Sequence, residues 1–230
     1  MALSIIYNDI PLPNFIHIRN VSIQLLPNKN KRVNERLIKI AFYIRKKGLM
    51  DKYIEREFIN WLQGGKEEYS KLSLPNDHSS YYSAKVDNTI DIDGTFKKGE
   101  GTIEFLCIGN KIEEDINSVA LNSNREVYYS GTADVKPKIK IRVSSQVSEI
   151  KIGIQNNSYN NFIKLVGNFN QNDTIEVNMT TNKITKNGIV DLTIMSLDSY
   201  FHRLVPGENI YTISNSTKCS VTLEWQNEFL

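Results

Sequence analysis

The sequence predicts a mainly β protein of antiparallel strands with one short helix. Three observations predict it. Apolar residues alternate with period two through most of the chain, turn signals punctuate them at short intervals, and a single stretch switches to helical spacing. The 230 residues allow one large domain or two ordinary ones, and a 40% hydrophobic share supports a buried core without disulfide or metal.

The first strand runs through Ile16 and Ile18, then Val21, Ile23 and Leu25; the change of phase predicts a β-bulge. Leu37 to Ile44 alternates as a second strand. The helix is predicted over about residues 49 to 63, where Met50, Ile54, Phe58, Trp61 and Leu62 share one face with Tyr53 beside them. Lys52, Glu55, Arg56 and Glu57 take the wet side, and Gly64-Gly65 ends the helix as a left-handed cap would. The aromatic stripe reads as a face packed on the first sheet. Tyr81 to Ile92 includes an extended stretch, and Thr102 to Ile108 is a further strand.

The second half reads as strands at regular spacing. The alternating sets are Ile139, Ile141, Val143; Ile150, Ile152, Ile154; Ile175, Val177, Met179; and Val190, Leu192, Ile194. Ile210 to Ile213 and Val221, Leu223, Trp225 close the series. Turns are expected at Asn156-Asn157, Asn160-Asn161, Asn170 to Asp173, Asn187-Gly188 and Pro206-Gly207. Asn-Gly supplies the positive φ values of a type I′ hairpin. The pattern predicts an antiparallel sandwich or barrel. Polar, turn-like residues from Leu121 to Arg125, then Ser130-Gly131 and Lys136-Pro137, place a boundary between about 120 and 136. This gives an N-terminal β domain over 1–125 and a C-terminal one over 126–230.

Charge and motif content exclude several functions. Lys and Arg number 28 against 26 Asp and Glu, and division near residue 125 gives 18 against 16 and 10 against 10. Neither half is a basic module for nucleic acid. The start, Met1 to Tyr7, lacks the pattern of a signal peptide, no apolar run suits a membrane helix, and synthesis in a cytoplasm is expected. The Asn-x-Ser/Thr triplets at Asn20, Asn172, Asn178 and Asn215 then read as chance matches. Cys107 and Cys219 sit in strand-like stretches and read as buried thiols. His17, His78 and His202 have no metal spacing, and no nucleophile elbow, phosphate loop or dinucleotide loop occurs. His78 falls in a turn-rich loop, where Asp77-His78-Ser79 lacks the convergence from separate elements that a triad needs. Asp91-Ile92-Asp93-Gly94 has no acidic ligand at the twelfth position of a calcium loop and reads as a strand end with a turn. Glu113-Glu114-Asp115 reads as a solvated edge. No catalytic, cofactor-binding or metal residue is assigned. Trp225 has core parity, while Tyr128-Tyr129, Tyr159 and Tyr200-Phe201 are the aromatics available to a sugar platform.

The order of features carries more than any one motif. After the strand and helix come Leu72-Ser-Leu-Pro-Asn-Asp-His-Ser-Ser-Tyr-Tyr-Ser-Ala-Lys-Val86 and Gly101-Thr-Ile-Glu-Phe-Leu-Cys107. Near the end come Thr185-Lys-Asn-Gly-Ile189, Leu204-Val-Pro-Gly-Glu-Asn-Ile210 and Val221-Thr-Leu-Glu-Trp225. This set resembles the distal tail proteins of siphophages (the Dit-like tail component family) over nearly the whole chain. The resemblance implies a structural, non-enzymatic subunit at the virion tail tip, made and assembled in the host bacterial cytoplasm. It implies a hexameric ring built by the N-terminal domain, with a galectin-like antiparallel β-sandwich pointing outward. Implied partners are further copies of the chain, the tail tube protein, the tape-measure protein, the tail-associated hub or fibre protein and a receptor-binding protein. The polar stretch from Pro27 to Glu35 reads as an exposed loop or as a contact arm to a neighbour. The candidate arm residues are Asn28, Lys29, Asn30, Lys31, Arg32, Val33 and Asn34. The alternatives are a glycan-binding β-sandwich protein, which needs an exposed aromatic platform, and another phage tube or baseplate component with different symmetry.

Overall fold

The computed structural model describes residues 4–26, 34–44, 52–63, 69–88, 90, 95 and 99–230. Strand accounts for 62% of it. The chain divides into two compact units, Met1–Ile112 with Leu230, and Glu113–Phe229.

In the first unit β1 (Ile6–Tyr7) and β2 (Ile10–Pro11) form a tight hairpin. Its loop places Asn8 and Asp9 at φ 51° and 61°, a conformation that their short polar side chains tolerate. Strands β3 (Ile16–Leu25) and β4 (Glu35–Ile44) pair antiparallel, with the predicted register shift between Ile18 and Asn20. After α1 (Lys52–Leu62) come β5 (Ser70–Leu74), β6 (Asp77–Val86) and the long β7 (Glu100–Leu121). The sheet order is β2-β1-β5-β6-β7-β4-β3. One face of α1 buries Ile54, Phe58 and Trp61, and Tyr53 is left exposed. Trp61 meets Tyr7 and Phe105 edge-on at 5.9 and 6.3 Å, Phe58 lies 5.5 Å from Phe42, and the Trp61 Nε1–H donates to the Ile10 carbonyl at 2.9 Å. Each such aromatic contributes about 1.5–3 kcal/mol by burial, so this cluster, rather than helix propensity over three turns, holds α1 in place.

The second unit is a sandwich. One sheet has the order β14-β13-β12-β9-β16, with β7 beside β16. Its strands are β9 (Lys138–Val143), β12 (Thr174–Asn178), β13 (Lys183–Lys186), β14 (Ile189–Val190) and β16 (Cys219–Phe229). The other sheet has the order β11-β10-β15-β8, from β8 (Asn124–Tyr129), β10 (Val147–Asn156), β11 (Asn160–Phe169) and β15 (Gly207–Ile213). The alternating sets meet as one core: Ile139, Ile141 and Val143 with Ile150, Ile152, Ile154, Val221, Leu223 and Trp225. Turn chemistry holds at Asn187 and Gly188, whose φ of 52° and 81° close a two-residue loop between Lys186 and its partner Ile189. Tyr129 ties the entry of this unit to its last strand. Its hydroxyl donates to the Ala133 carbonyl at 2.8 Å and accepts the Glu228 N–H at 3.0 Å.

Several sequence expectations are corrected. Asn160-Asn161 opens β11, because Asn161 pairs with Ile154; the turn lies earlier, where the Asn156 N–H donates to the Tyr159 carbonyl. Val190, Leu192 and Ile194 are not one strand. Only Ile189–Val190 pairs in a named strand, Leu192 is exposed, and Ile194 is buried where its carbonyl accepts the Val166 N–H. The strand predicted over Thr102 to Ile108 continues to Leu121, and His78 lies in β6 rather than in a loop. Helix positions 49 to 51, the Gly64-Gly65 cap and Asp91 to Gly94 lie outside the described residues.

Candidate functional site

The most unusual surface follows from the burial pattern of β3. Directly opposed residues share a face of a sheet. Val21, Ile23 and Leu25 oppose Ile40, Ile38 and Arg36 of β4, and all three of those partners are buried. The β3 residues therefore project toward the core side, yet Ile23 is 49% and Leu25 68% exposed. Among the described strands β3 pairs only with β4, so its outer edge has unpaired backbone groups. Beside it runs a groove of about 580 Å³, lined by Ile18 to Val21 on one side and by Leu74 to Asp77 on the other. A core-facing apolar row at an open edge, next to a groove, is suited to receive another polypeptide.

Of the candidate arm, Asn28 to Val33 lie outside the described residues. Asn34 is placed at the mouth of the β3–β4 hairpin, where its Nδ2 donates to Asn110 Oδ1 at 3.0 Å. The stretch leaves from the end of β3, where the Leu26 N–H donates to the Glu35 carbonyl.

The residues that could carry chemistry are dispersed. His17 stacks on Tyr43 at 5.2 Å. Asp77 receives Lys111 Nζ at 2.8 Å and the Ser79 hydroxyl at 3.2 Å. Lys111 first, then the neighbouring Ser80 and Ser79 hydroxyls, hold its carboxyl below the usual range. Both cysteines are buried free thiols, and burial pushes Cys107 up to about 12, the marker of an inert thiol rather than a nucleophile. No group of three or more His, Cys, Asp or Glu among the described residues is placed to hold a metal ion. No helix of the described residues is long and apolar enough to cross a membrane. Of the candidate platform aromatics, Tyr129 is buried and Trp225 is 8% exposed, its Nε1–H donating to Asn227 Oδ1 at 3.1 Å. Tyr128 and Tyr200 are exposed, while Tyr159 and Phe201 are half-buried. The Tyr159–Phe201 pairing in one groove was not visible in sequence spacing, since 42 residues separate them along the chain.

Two family descriptions match, in the order expected of a tail protein. Residues 27–107 match the phage tail protein RIFT-related domain. Residues 130–229 match the C-terminal domain of the siphovirus-type tail component. The chain belongs to the siphophage distal tail proteins. Its fold is shared with that of phage SPP1 Dit, at a TM-score of 0.75 and 15% identity over 99% of each chain. That protein is described as a paradigm of the hub adsorption apparatus in phages infecting Gram-positive bacteria. A chain of the activated phage p2 baseplate gives a TM-score of only 0.42, at 12% identity over 94% of this chain and 92% of that one. No curated protein matches in sequence. The distal tail protein thus has a structural role in the phage tail, and its galectin-like sandwich accords with the shared fold.

Proposed function

We propose that this distal tail protein closes into a hexameric ring that joins the tail tube and tape-measure protein to the tail-associated hub or fibre protein. The reading rests on one observation: the open β3 edge with Val21, Ile23 and Leu25 on its core-facing side, apolar surface that a neighbouring copy would cover. Rings of identical subunits use heterologous contacts that close by rotation, and a free sheet edge beside a groove offers one half of such a contact. The arm from Asn28 to Asn34 supplies the other half in this reading, because it leaves from the same hairpin. Ring building falls to the N-terminal domain, 1–125. The sandwich, 126–230, faces outward and carries or contacts the receptor-binding protein during host attachment. The subunit works by assembly, without catalysis, and is put together in the host bacterial cytoplasm.

The test is mass by light scattering on the purified chain, with and without the tail tube protein, followed by negative-stain images. Six-fold rings are the expected result. A chain that stays monomeric in both conditions would overturn the ring.

A further inference from the structure

The C-terminal unit holds a second concave feature that the tail role does not use. A groove of about 590 Å³ is bordered by Asp134, Lys136, Ser158, Tyr159, Phe201 and Arg203. Its volume suits a small ligand of one or two rings. The half-buried aromatic rings of Tyr159 and Phe201 form part of its lining, and so does the amide of Asn161. Arg203 Nη1 meets Asp134 Oδ2 at 3.1 Å with both side chains substantially exposed, so guanidinium and carboxylate keep free hydrogen-bonding positions. The Arg203 N–H donates to the Tyr159 hydroxyl at 3.0 Å, which fixes the aromatic wall against the polar rim.

His202 lines the groove and is only 4% exposed. Its Nε2 lies 3.2 Å from the Tyr211 hydroxyl. Its Nδ1 is buried as well.

We infer that this groove binds a neutral saccharide of one or two rings, with a sugar face on Tyr159 or Phe201 and its hydroxyls on the Asp134–Arg203 pair and Asn161. Vicinal hydroxyls need donors and acceptors in one plane, which a carboxylate beside a guanidinium provides. The aromatic rings take the apolar C–H face. A neutral ligand is chosen because Asp134 both offsets Arg203 and would repel an anion docked on the pair, while the remaining cation Lys136 makes the anionic probe a necessary control. The inference does not depend on ring formation.

The experiment is saturation-transfer difference NMR on the full chain with millimolar maltose, lactose and N,N′-diacetylchitobiose, with glycerol phosphate as the anionic probe. Saturable transfer to the ring protons of at least one disaccharide is expected. Arg203→Gln and Asp134→Asn, which leave the core untouched, should each weaken it about tenfold with an unchanged melting curve. Three results would overturn the assignment: no transfer to any disaccharide, transfer that survives both substitutions, or a response to glycerol phosphate alone.

Discussion

Tyr129 and Gly131 show how a single position is fixed by its neighbours. A Cβ built on Gly131 would lie 2.1 Å from the Tyr129 hydroxyl and 2.6 Å from the Glu228 carbonyl, both parts of the lock on the last strand. Gly131→Ala is therefore expected to cost about 2–3 kcal/mol in urea unfolding, the range of an overpacked core. Tyr129→Phe keeps the ring and loses only the hydrogen bonds, so about 1–2 kcal/mol is expected. His202 gives a pH dependence. Burial lowers it from the ordinary 6.5 to about 4, so the folded chain holds it neutral where the unfolded chain takes up a proton. Its contribution is fully present above pH 6.5 and is lost as pH falls toward about 4, a change on the order of 3 kcal/mol. His202→Phe should flatten that part of the stability–pH curve when unfolding midpoints are compared across it. None of this was legible in sequence. His202 is one of three isolated histidines, and only its depth beside Tyr211 distinguishes it.

Elements with a strong period were legible, and elements with mixed chemistry were not. The helix could be read because Ile54, Phe58 and Trp61 repeat at helical spacing, and those side chains are buried. Trp61→Ala should cost about 3–5 kcal/mol in urea unfolding, because it removes contacts to Tyr7 and Phe105 together. The Asn187-Gly188 hairpin was legible because its backbone demands positive φ at both positions. Gly188→Ala, at φ 81°, is expected to cost about 1–2 kcal/mol. Strand β11 was missed because Asn160-Asn161 is a turn signal in composition, whereas pairing with β10 sets its conformation. Val190, Leu192 and Ile194 misled for the converse reason. Their alternation has no partner strand long enough to realise it, and the segment instead follows β11 through the Ile194 carbonyl.

For the whole molecule, the informative feature is apolar surface left over once the subunit has folded. The Ile23→Lys, Leu25→Lys double variant should melt like the parent, since both side chains are largely exposed, and should scatter light as a monomer. Deleting Asn28 to Asn34 should likewise leave a folded subunit that no longer closes rings, and intact six-fold rings from it would remove the arm from the assembly. The division between the units, at Ile112 and Glu113, falls within β7 rather than in a loop.

The sequence by itself determined the mainly β class, the helix face, the tight Asn-Gly turn, the inward rows of the sandwich and, through the order of its segments, the tail family. These are local or periodic properties, and backbone sterics and burial write them into neighbouring residues. Only the tertiary structure decided that β3 is an open edge among the described strands, that Tyr129 is buried while Tyr128 is not, and that Tyr159, Phe201, Asp134 and Arg203 share one groove. Those facts depend on which strands pair across long stretches of chain, and that choice is made by the packing of the whole core.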